Sequence, residues 1–115
     1  MKTLWNKKEV IILIYGYYLI EKGIYDRDYI INEISNKLRK KQIDMSTDNK
    51  FRNKNGISMK LGNIDYLFSK GKTGFKNYSK LEYELFNLFL TDKNEFNRLL
   101  KDAKIEYDIE WEHDI

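Results

Sequence analysis

Between Val10 and Ile20 the chain offers almost no polar residue, and Val10 to Ile14, Tyr17, Tyr18 and Ile20 leave a helix wound from them with hardly any solvent face. Asn6 and Glu9 stand in front of this run at the spacing of a capping box, in which each side chain satisfies the other's free backbone donor. Lys22-Gly23 ends it, because glycine takes up the left-handed turn that closes a helix. A helix from about Asn6 to Glu21 that is apolar on every side must be enclosed by other helices, with Trp5 packing across its start. The run is too short to span a bilayer, which takes about 20 apolar residues, and Gly16 interrupts it. It also lacks the small-residue cleavage site that follows a signal-peptide core.

The rest of the chain supplies the enclosing elements. Asp26 or Asp28 caps a second helix reaching about Lys41, with Ile30, Ile31, Ile34 and Leu38 as its apolar stripe. A third starts near Asn55 and turns Ile57, Leu61, Ile64 and Phe68 inward. Ser79-Lys80-Leu81-Glu82 is a second capping box, opening a helix with Leu81, Leu85, Leu88 and Phe89 inside. Asp92 to Glu95 repeats the device before a last helix whose Phe96, Leu99, Leu100 and Ala103 face the core. The expected fold is all-α with about five helices. Residues 42–53 form a polar connection of about a dozen residues, and residues 69–78 a second, basic one.

At 115 residues the chain is one domain, and 42% hydrophobic residues with 15% aromatics are enough for one core. No cysteine is present, so a disulfide framework and a thiolate metal site are both excluded, and a reducing cytoplasmic setting is the expected one.

The period changes after Lys104. Ile105, Tyr107, Ile109, Trp111, His113 and Ile115 alternate with Glu106, Asp108, Glu110, Glu112 and Asp114, the two-residue repeat of a strand. This divides the chain into a helical domain, residues 1–104, and an acidic alternating tail, residues 105–115, expected as a strand, a linker or a disordered segment. A single strand has to pair with a partner's strand, pack its apolar side over the body, or stay disordered. Its acids could also fold back on a basic surface.

The net charge of +3 conceals how the charge is distributed. Lys37 to Lys80 contains twelve Lys or Arg against Asp44, Asp48 and Asp65, a local excess of nine, and this excess surrounds the third helix. A polyanion-binding surface has this footprint. A lysine-rich chain also needs solvated faces, and the cations of Lys37 to Lys41 complement the C-terminal end of their own helix dipole whether or not anything binds. On the third helix, the side opposite the apolar stripe carries Asn55, Ser58, Met59, Gly62 and Asn63, short groups that let a backbone approach a groove. Arg52, Lys54 and Lys60 flank it as phosphate contacts, with Lys70, Lys72 and Lys76 in the following loop. Among the nine tyrosines, Tyr66 and Tyr78 lie inside this region and are the better candidates for stacking on bases.

No catalytic constellation is visible. His113 is the only histidine, and a strand would send its acidic neighbours to the opposite face, so neither a metal site nor a triad assembles around it. Gly71-Lys72-Thr73-Gly74 lacks the spacing of a phosphate-binding loop. No enzyme activity and no cofactor are expected.

Trp5 with Glu9 and the apolar helix after it, then Arg52-Asn53-Lys54-Asn55-Gly56-Ile57-Ser58-Met59-Lys60-Leu61-Gly62-Asn63-Ile64, then Ser79-Lys80 and an aromatic helix, resemble a known module. It is the N-terminal DNA-binding-like domain of bacterial HNH endonucleases of the McrA type, which are modification-dependent restriction enzymes. The resemblance covers roughly residues 3–104. It implies a helix-turn-helix or Myb-like core and a function in reading double-stranded DNA, modified bases included, within a restriction or defence system. The paired histidines and asparagine of the nuclease half are missing, so no catalysis carries over, and the 42–53 connection is longer than a tight helix-turn-helix turn. Asn55, Ser58, Met59 and Asn63 would face base edges. Six to eight neutralised phosphates would give a slope of about −5 to −7 for log affinity against log salt. The rival expectation is a small phage or mobile-element protein that binds and inhibits a nuclease or defence complex, its residues 105–115 adding to a partner's sheet edge.

Overall fold

The computed structural model describes residues 4–41 and 51–115, and residues 42–50 of the expected polar connection lie outside the described part. Five helices follow one another: α1 (Lys7–Glu21), α2 (Arg27–Lys41), α3 (Lys54–Phe68), α4 (Lys80–Thr91) and α5 (Lys93–Tyr107). The fold is all-α, as the periodicity requires. Asn6 and Ser79 close both halves of their capping boxes on α1 and α4, and Asp26 takes the N–H of Tyr29 at the start of α2. Asp92 accepts from Glu95 at the start of α5, but Glu95 turns to Arg98 instead of reaching back, so that box is half formed.

α1 is the axis, and Glu9 to Tyr17 and Leu19 are buried. It packs on all four other helices, most extensively on α5. Gly16 is the close approach: a Cβ there would press on Ile30 at 2.9 Å and Ile34 at 3.2 Å, so the glycine lets α2 settle against the axis. Among the described residues no helix is long and apolar enough to cross a membrane.

The tail departs from the expected strand. α5 continues through Tyr107, so residues 105–107 are helical, and Asp108 caps the end in the left-handed region at φ 57°. No strand occurs among the described residues; from Ile109 onward the tail is an irregular segment laid over the body. Ile109 and Trp111 are 5% and 2% exposed. The Tyr15 hydroxyl, on α1, donates towards the carbonyls of His113 at 2.8 Å and Trp111 at 3.1 Å, and accepts the His113 N–H at 3.0 Å. A core phenol thus replaces the ladder partner that a lone strand would need. The acids near the end of α5 face cations: Glu106 pairs with Lys8 and Lys41, and Asp108 with Lys37.

Candidate nucleic-acid interface

α3 begins where Asn53 accepts the N–H of Gly56 at 2.8 Å. Its Ile57, Leu61 and Ile64 are buried, as the spacing demands, and Leu67 joins them, whereas Phe68, the fourth residue of the expected stripe, is half-buried against Tyr17 and Phe89; Asn55 is exposed and Met59 is 56% exposed. The outward side is not bare backbone. The loop from Ser69 to Ser79 folds back over it and seats Phe75 on Gly62, where an added Cβ would overlap the ring. The Phe75 N–H donates to the Gly62 carbonyl at 3.0 Å, and Gly74, at φ 87°, fits so closely that a Cβ would strike that same carbonyl. Ser69 and Thr73 tie the loop to itself, and Thr73 also donates to Asp65, which accepts the Tyr17 hydroxyl from α1.

Trp5, Gly56, Met59, Asn63, Phe75 and Asn77 therefore surround a cleft of about 410 Å³, with Arg52 and Lys60 at its wall. Asn63 is only 7% exposed, and its side chain has no hydrogen bond to any described residue. Around the first turn of α3 lies a second, polar hollow of about 390 Å³ lined by Ser35, Asn36, Arg39, Asn53, Lys54 and Asn55.

Several residues expected at a duplex surface do other work. Arg52 is 7% exposed: its guanidinium donates to both Glu9 oxygens at 2.8 and 3.0 Å and to the Leu4 carbonyl, and lies 3.8 Å from the centre of the Trp5 ring. It is a structural cation, not a phosphate contact, because a charge that deep is held by its partner. Lys60 lies 3.4 Å from Glu82, a carboxylate with no exposure whose second oxygen has no hydrogen-bond partner among the described residues. Ser58 is half-buried and accepts from Arg27 of α2 through both its hydroxyl and its carbonyl. Gly62 is covered by Phe75, and Asn63 sits inside the cleft rather than on the helix surface. Tyr66 and Tyr78 stack on each other, and Tyr78 also on Tyr83, so both rings are engaged within the protein.

Lys54, Lys70, Lys72 and Lys76 are exposed and make no ion pair with any described residue. One lies at the start of α3 and three on the loop clasped to its far half. Trp5, Phe75 and Asn77 were not expected at the site. Phe75, the one large apolar side chain between Gly74 and Lys76, was the legible signal for a ring turned onto a glycine-bearing helix face. Among the described residues no three His, Asp or Glu side chains gather as a metal site.

Fold and site together define a five-helix all-α protein with an aromatic, amide-floored cleft beside uncompensated lysines. No family model, curated protein or solved structure matches the chain.

Proposed function

We propose that the protein binds double-stranded DNA across the outward side of α3 and reads a base or its modification at the Trp5–Phe75 cleft. The observation that carries this reading is the coincidence of that cleft with the four unpaired lysines. Lys70, Lys72 and Lys76 take phosphates on one side. On the other, the backbone N–H groups opening α3, together with Lys54, offer a seat for a phosphate. Meanwhile Glu106 and Asp108 pair with Lys8, Lys37 and Lys41, which lowers the positive charge around the end of α5 and leaves the four lysines at α3 untouched. Trp5, Met59 and Phe75 offer apolar contact of the kind that meets a methyl group on a pyrimidine. The resemblance to the restriction-enzyme module is in accord with this and extends it to a defence setting without a catalytic role.

With Arg52 and Lys60 engaged internally, four side chains remain to neutralise phosphates, so the expected salt slope falls to about −4. Fluorescence anisotropy on a mixed-sequence duplex, repeated with cytosine-modified duplexes across a salt series, tests it: a modification preference on top of that slope is expected. Binding that ignores salt would remove the reading.

The rival reading, a nuclease or defence-complex inhibitor that lends its tail to a partner's sheet, meets a physical obstacle. Ile109 and Trp111 would have to leave the core, and Tyr15 would lose its backbone partners.

A further inference from the structure

We propose that the cleft between Trp5 and Phe75 is the seat of a single nucleobase ring removed from its stack, with the Asn63 amide reading the ring's edge. This rests on the DNA-reading proposal and names the group that enters.

Four observations support it. The cleft, at about 410 Å³, falls in the range of small-ligand pockets and has their make-up of apolar walls with few polar groups. Two of its walls are aromatic and one is the thioether of Met59, surfaces on which a heteroaromatic ring stacks regardless of its identity. Asn63, at 7% exposure, keeps a donor and an acceptor without partners among the described residues, and neither amide atom is sealed from the cleft, so both are open to a base edge with its adjacent donor and acceptor. Finally, the Trp5 wall is already fixed by the Arg52 guanidinium stacked at 3.8 Å, which is itself held by Glu9, so the seat exists before the guest arrives.

Depth decides between a ring and a mere substituent. Met59 and Phe75 stand at the rim with about half of their surface exposed, whereas Asn63 lies behind them. A base still paired within a duplex presents its edge at the groove floor and does not reach that amide; a base swung out of the helix does. The same planar chemistry is carried by a free nucleoside, so the two sources need separate arms.

The test uses the full chain and a duplex containing 2-aminopurine, once paired with thymine and once mismatched with cytosine. Expected are a several-fold rise of 2-aminopurine emission on binding and an affinity about tenfold higher for the mismatched duplex, since a mismatched base costs less to extrude. Asn63→Leu abolishes both effects while the salt slope stays. Met59→Ala, an exposed rim change that leaves the core intact, weakens the emission rise. In the second arm, adenosine and cytidine are titrated while the Asn63 side-chain amide and Trp5 indole resonances are followed; shifts in both assign the same seat to free nucleosides. Duplex binding with unchanged emission, no mismatch preference and unmoved Asn63 resonances overturns the base seat and leaves the DNA-binding reading standing. Nucleoside shifts without any duplex association do the reverse.

Discussion

Arg52 shows how a cation in a basic stretch can belong to the interior. It occupies the left-handed region at φ 48°, where a non-glycine residue needs compensation, and it receives it: two bonds to Glu9, one to the Leu4 carbonyl, a ring of Trp5 beneath it, and the Ser35 hydroxyl donating to its own carbonyl. Glu9 is 2% exposed, so removing its partner leaves a buried charge unpaired. Arg52→Ala should therefore cost about 3–5 kcal/mol, seen as a melting point lowered by more than about 10 °C. A phosphate-binding arginine would lose affinity and keep its melting point. Lys60→Ala carries the same logic more weakly: Glu82 would lose the cation beside it, and stability should fall by about 1–3 kcal/mol, a loss that calorimetry separates from any change in binding.

At the scale of elements, the clasp between α3 and the loop after it closes the cleft, and the strap of the tail over α1 closes the core. Gly74→Ala forces a side chain into a left-handed position against the Gly62 carbonyl, so it should release Phe75 from α3 and open the cleft. Loss of the contacts from the Phe75 ring to Gly62 in NMR, with the helical circular dichroism kept, is the expected result. Trp111→Ala should cost about 3–5 kcal/mol for a fully buried indole and loosen the strap from Tyr15. The buried phenols give a pH signature. Burial raises the Tyr15, Tyr17 and Tyr107 hydroxyls above their usual value of 10.0, with neighbouring carboxylates adding to Tyr17. The unfolded chain loses phenolic protons near pH 10 while the folded one retains them, so stability should be level below that pH and fall above it. Melting points flat from pH 9 to 11 would contradict this.

The five helices were legible because each has apolar residues at helical spacing and four carry a start signal, with Asn6, Asp26, Ser79 and Asp92 all capping, while the cap of α3 is Asn53, a residue of the polar connection two positions before the expected start. The tail misled because its strict alternation is equally the pattern of an irregular segment buried along one side, and only the distant Tyr15 decides between them. The site was legible in part. Exposure of Lys54, Lys70, Lys72 and Lys76 follows from local polarity, but Arg52, Lys60 and Asn63 have fates set by Glu9, Glu82 and the returning loop. Those partners lie 22 to 43 positions away or depend on a fold-back that no periodicity encodes.

For the whole molecule the consequence is electrostatic. A chain with a formal charge of only +3 can still hold a polyanion if acids are spent on cations elsewhere, as Glu106 and Asp108 are on Lys8, Lys37 and Lys41, whereas Glu9 and Glu82 engage Arg52 and Lys60 at the cleft wall. The central claim is that four lysines around α3, rather than the full basic stretch, meet the phosphates of a duplex. The most direct test is the salt dependence of duplex affinity for the parent chain and for Lys54→Ala, Lys70→Ala, Lys72→Ala and Lys76→Ala singly. The account predicts a parent slope of about −4 that shrinks by about one unit in each variant, with melting points unmoved. An affinity that does not respond to salt, or no association with any duplex, plain or modified, would contradict it.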